Sequence, residues 1–96
     1  MVESFTVDTF AGRIGEAFTV EVAGAAPFEA TLTEATAHGP PAAPGGRPPF
    51  SLEFVGPVHV VQAIYRLSHH DLGDFDLFLV PLGPVSSGMR YEAVFS

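Results

Sequence analysis

The residues richest in chemistry are "HHD", His69, His70 and Asp71, with His38 and His59 elsewhere in the chain. Two imidazoles and a carboxylate are suitable ligands for a transition metal. Adjacent residues on a strand point to opposite faces, so His69 and His70 can share an ion only where the strand has begun to turn. The "LGD" that follows supplies such a turn. The plainer reading is a polar strand end, with Asp71 setting up an Asx-type turn ahead of Gly73. Asp74 and Asp76 lie two apart and share one strand face close to Asp71. Paired carboxylates can do acid–base work or hold Ca2+. As a solvated outer face they would instead deter edge-to-edge aggregation.

Other chemistries find less. Nucleophilic catalysis needs Ser or Thr, His and an acid brought together. No GxSxG elbow surrounds a serine, and Ser86-Ser87-Gly88 reads as a hairpin turn. With no cysteine, a thiol nucleophile, a thiolate metal site and a disulfide framework are all excluded. "GRIG" and "PGGRP" lack the Lys and the strand–helix context of a phosphate loop. No catalytic, cofactor-binding or metal residue is therefore assigned, no cofactor is expected, and the protein is not expected to be an enzyme.

The elements that would position these groups follow a period of two. In Ala17–Val22, Phe18, Val20 and Val22 fall on one face. In the run from Phe28, residues Phe28, Ala30 and Leu32 do the same, and in Phe50–Phe54 so do Phe50, Leu52 and Phe54. A fourth strand spans about Gln62–His69. Phe75–Pro81 begins as alternation and becomes nearly continuous, which predicts a central strand covered on both sides. In Met89–Phe95, Met89, Tyr91, Ala93 and Phe95 oppose Arg90, Glu92 and Val94. Arg66 and Arg90 fall within strands, where a cross-strand ion pair contributes little if exposed.

The pattern predicts one all-β domain over residues 1–96, a small antiparallel barrel or sandwich of about six strands. Thr6 can N-cap a short N-terminal helical turn that places Val7, Phe10 and Ile14 at helical spacing and plugs an open end of the sheet. A Gly-Pro corner in "GPVSSG" joins the last two strands, and Pro81 marks where pairing stops. Residues 38–49, "HGPPAAPGGRPP", have five Pro and three Gly in twelve positions and read as a mobile surface connection.

At 96 residues, 47% of them hydrophobic and nine of them Phe, the chain supports a real core without staples. The formal charge of −7, with all four basic residues Arg, repels phosphate backbones and anionic membranes, so neither nucleic acid nor membrane is an expected partner. The start lacks a basic segment followed by an apolar run, so no signal peptide is read and a cytoplasmic location is expected, compatible with a place in an exported assembly.

"RPPFSLEFVGP" and "YRLSHHDLGDFDLFLVPLGPVSSGMRYEAVFS" carry a resemblance. Arg47 with Pro49–Leu52, Gly56-Pro57, Tyr65-x-Leu67-x-His69, Leu77–Pro81 and Tyr91–Phe95 resemble the bacterial DUF6916 family, with Ala63 standing where a Gly is more usual. The resemblance brings no mechanism. It implies a setting near tail-fibre-like proteins. The expectation is a non-enzymatic structural or adaptor module that binds another protein, with the resemblance implying an accessory of a phage-tail-like or fibre-like assembly and homo-oligomerisation compatible. The alternative is a small-ligand or metal-binding barrel, with enzymatic activity compatible, that uses the His69-His70-Asp71 corner.

Overall fold

The computed structural model describes residues 5–41 and 44–95; Ala42 and Ala43 of the Pro-rich loop lie outside the described residues, as do both chain ends. A helical turn, α1 (Val7–Ala11), precedes six strands. These are β1 (Ala17–Glu21), β2 (Phe28–Ala37), β3 (Phe50–Gly56), β4 (Ala63–His69), β5 (Gly73–Val85) and β6 (Gly88–Phe95). They close into one antiparallel barrel in the order β1-β2-β3-β6-β5-β4. The sheet is a barrel and not a sandwich.

The alternation of the sequence is the inside–outside alternation of this wall. Phe18, Val20, Ala30, Leu32, Phe50, Leu52, Phe54, Leu67, Phe75, Leu77, Leu79, Tyr91, Ala93 and Phe95 all point inward and are buried. Each fully buried large apolar side chain stabilises the fold by roughly 1.5–3 kcal/mol. On β2 the alternation slips at a bulge between Leu32 and Glu34, so Thr33 is the extra residue and Ala35 regains the inner face.

One end of the barrel is sealed by the N-terminal segment. α1 starts after Thr6, whose N–H donates to Thr9 Oγ1 at 3.0 Å. Its single buried side chain, Phe10, lies with its ring 5.4 to 6.2 Å from those of Phe5, Phe18, Phe50, Phe75 and Phe95. The helix stops at Ala11, ahead of Gly12, so Ile14 does not join Val7 and Phe10 on one face and is 48% exposed. Gly15, at φ +93°, turns the chain into β1.

Two expectations for β5 are corrected. The apolar run from Phe75 to Pro81 is not covered on both sides: Phe78 points outward and is 48% exposed. No described element lies outside the barrel wall to cover that face. Nor is Gly83-Pro84 a corner, because pairing with β6 continues past Pro81 to Val85, through a bulge between Pro81 and Gly83. Beyond Leu79, β5 pairs with β6 alone, and a one-sided strand tolerates proline. The turn itself is only Ser86-Ser87.

The described part of the Pro-rich loop holds no helix or strand. His38 N–H donates to Pro49 O at 2.9 Å and closes its base. Arg47 then reaches back over the sealed end, its guanidinium carbon 5.7 Å from the Phe50 ring centre and 5.3 Å from that of Phe95. Its Nη1 donates to the carbonyl of Phe5 at 3.1 Å. The loop is thus part of the plug.

Candidate functional site

His69 ends β4 and points inward at the sealed end, its side chain fully buried and its ring 4.6 Å from that of Phe18. Glu16 meets it from the start of β1. The N–H of Gly15 donates to Leu32 O at 2.7 Å, and Leu32 N–H donates back to Glu16 O at 3.0 Å, which locks Glu16 against β2. The Glu16 carboxylate then lies 2.7 Å from His69 Nε2.

The other ring nitrogen is also occupied. His69 Nδ1 accepts the backbone N–H of Asp71 at 3.1 Å and of Leu72 at 3.3 Å. Nδ1 therefore carries the lone pair and Nε2 the proton, which it donates to Glu16.

The sequence-level corner is rearranged by this geometry. Asp71 turns away from His69: its Oδ2 is 3.5 Å from His70 Nε2 and 3.8 Å from Arg13 Nη2. Glu16 takes its place, and the ligand atoms of Glu16, His69 and His70 all lie within 4.8 Å of one another, the one such group among the described residues. For His69 to ligate through Nε2, the proton would have to move to Nδ1, where two backbone N–H groups already point. For the same reason His69 has no free nitrogen to act as a base toward a substrate. These contacts tie the β4–β5 turn to the segment entering β1. His70, 74% exposed, rests its ring 4.3 Å from that of His69.

The remaining candidates are dispersed. His38 Nε2 and Ser51 Oγ are 2.7 Å apart, a clasp at the loop base with Ser51 buried. His59 sits exposed in the β3–β4 connection, and Ser86 and Ser87 form the last turn. Asp74 and Asp76 do share the outer face of β5, and Asp76 Oδ1 pairs with Arg66 Nε at 2.9 Å. Arg90 pairs with Glu53 at 3.6 Å. Glu34, Glu53 and Glu92 stand in register across β2, β3 and β6. Partial burial first, and then the charge of Glu34, raises the Glu53 carboxyl above its ordinary range, with Arg90 pulling the other way. Burial also raises the phenol of Tyr91, whose hydroxyl has no hydrogen-bond partner among the described residues.

The outer wall across β1, β4 and β5 is organised in rows. Glu29, Thr19, Ser68 and Asp74 are in register from β2 to β5. Glu21, Arg66 and Asp76 form the next row. Ile64 and Phe78 form the one after, directly opposite each other and 68% and 48% exposed. An open groove beside Ile64 is lined by Glu21, Val22, Ala23 and Arg66.

A family model described as a domain of unknown function, DUF6916, matches residues 5–95. The chain belongs to the DUF6916 family. No curated protein and no solved structure matches it. The match takes in every element of this DUF6916 barrel, from the Phe5 plug to the inward Phe95.

Sequence reasoning missed three contributors to this end of the DUF6916 barrel: Glu16, Arg47 and the Ser51–His38 clasp. Glu16 is 53 residues from His69, and only the barrel closure brings them together. The outward Phe78 had a signal, since it falls between Leu77 and Leu79 in a run where alternation breaks. No helix among the described residues is long and apolar enough to cross a membrane.

Proposed function

We propose that this protein is a non-enzymatic module that binds another protein through the outer wall of β4 and β5. The observation that carries this reading is the Ile64–Phe78 pair. Two large apolar side chains face each other across adjacent strands and remain in water, on a barrel whose inward side chains fill its interior. A small barrel packed in this way offers its walls and loops for recognition, and grouped exposed apolar side chains mark interaction surfaces. The strand order closes on itself, and the one-sided stretch of β5 begins only beyond Leu79, so at Phe78 side chains on the wall are the natural contact. The family resemblance adds the setting of an accessory in a phage-tail-like or fibre-like assembly.

The test is size-exclusion chromatography with light scattering on the purified chain, mixed with the products of its neighbouring genes. The reading predicts a stable complex that Phe78→Asp abolishes without lowering the melting temperature. A chain that ignores those products, or a complex indifferent to Phe78→Asp, overturns it.

A second reading, metal binding, has the closeness of Glu16, His69 and His70 in its favour and the committed nitrogens of His69 against it. A clear rise in melting temperature on adding Zn2+ would favour it, because binding to the native state must stabilise that state.

A further inference from the structure

We infer that the Ile64–Phe78 surface takes a basic segment of a partner protein, one with a large apolar side chain at its centre. This inference rests on the protein-binding reading above and names the kind of partner. The apolar pair is framed by acids. Toward the sealed end lie the row of Glu21, Arg66 and Asp76 and then the row of Glu29, Thr19, Ser68 and Asp74. On the other side, Val80 of β5 stands opposite Glu92. Arg66 is the one cation in these rows, and its guanidinium is engaged by Asp76 at 2.9 Å. Glu21, Glu29, Asp74 and Glu92 form no ion pair among the described residues.

This frame discriminates between occupants. A neutral partner seated on Phe78 would strip water from the nearest carboxylates and return nothing, at a cost. A second copy of this chain, itself at −7, would bring like charge to the same face. A basic segment replaces the lost hydration with charge-assisted hydrogen bonds. Spacing is also favourable. Asp74 lies four residues from Phe78 on the same outer face of β5, about 13 Å at the strand rise of about 3.3 Å per residue. An extended segment with Lys or Arg two to four residues from its apolar anchor spans both. The groove beside Ile64 gives that anchor a place to enter, with Glu21 at its rim.

The test is selection from a random twelve-residue peptide display library on immobilised wild-type protein, followed by binding measurements on synthetic peptides from the enriched sequences. The expected peptides carry at least two Lys or Arg near a Leu, Ile, Phe or Trp. They lose on the order of tenfold or more in affinity to Phe78→Asp and to Ile64→Ser, and a similar factor when salt is raised to screen surface charges. Asp74→Asn with Glu21→Gln, which leaves the apolar pair intact, weakens them as well. Enriched peptides that need Phe78 but carry no basic residues and ignore salt overturn this inference and leave the protein-binding reading standing. Peptides indifferent to both Phe78→Asp and Ile64→Ser, or no enrichment at all, overturn both.

Discussion

Strand β5 carries two phenylalanines three residues apart with opposite surroundings. Phe75 points inward, 4% exposed, its ring 5.2 Å from that of Phe5 and 6.2 Å from that of Phe10. Phe78 points outward, 48% exposed, with Ile64 as its directly paired neighbour. The same residue type on the same strand thus serves two purposes, separated only by the period of the pleat. The inner ring is held by neighbours that this chain supplies. The outer one is left about half in water, with no aromatic ring packed on it among the described residues.

The sharpest way to break this contrast is at the hub of the inner set. Phe10→Ala removes a fully buried ring that touches five others, and the expected loss is about 3–5 kcal/mol of unfolding free energy by denaturant titration. A loss below about 1 kcal/mol would mean that the N-terminal segment decorates the barrel and does not plug it.

Backbone closure at the opposite end comes next. Gly88 opens β6 at φ +149°, and a Cβ there would stand 2.3 Å from the carbonyl oxygen of Gly56. Gly88→Ala should therefore cost about 1–3 kcal/mol, read as a lower melting temperature. An unchanged melting temperature would show that β3 and β6 can separate there freely.

The wall's acids give a smaller effect with a definite sign. The folded-state pKa of Glu53 is raised above its ordinary value of 4.5, so its ionised form opposes folding. That penalty is present in full above the raised folded value and fades as pH falls toward 4.5. Glu53→Gln should make the protein slightly more stable at pH 7, by less than about 1 kcal/mol, since the ion pair with Arg90 is lost too. The advantage should shrink as pH falls through that window. A variant less stable than wild type at pH 7 would show that the Arg90 contact outweighs Glu34 and burial.

The smallest expected effect completes the contrast: Phe78→Ser should change stability by no more than about 0.5 kcal/mol. A loss comparable to that of Phe10→Ala would show that the outer ring is structural after all.

Much of the barrel was legible in the residues. Phe18, Leu32, Phe54 and Tyr91 announce the inner face through alternation alone, because a half-buried strand needs nothing more to declare itself. Barrel closure was not legible, since it depends on β1 meeting β4 in a register that no local pattern encodes. Pro81 and Pro84 misled for a definite reason: a proline forbids pairing only on a side that has a neighbour, and β5 has shed β4 by then. The corner at His69 was half-legible. Its two histidines were visible in "HHD", but the carboxylate bonded to His69 is Glu16, and Asp71 lies beside Arg13 and His70 instead. Likewise a segment rich in Pro and Gly gave no hint that Arg47 would lie over Phe50 and Phe95.

The measurement that tests the central claim most directly is site-specific crosslinking from the wall. The chain has no cysteine, so Phe78→Cys, Ile64→Cys and, on the far side of the barrel, Thr31→Cys each carry a single attachment point for a short photo-crosslinker. With the partner identified by light scattering present, the account predicts adducts from positions 78 and 64 and none from 31. Adducts of equal yield from all three, or from position 31 alone, would contradict it.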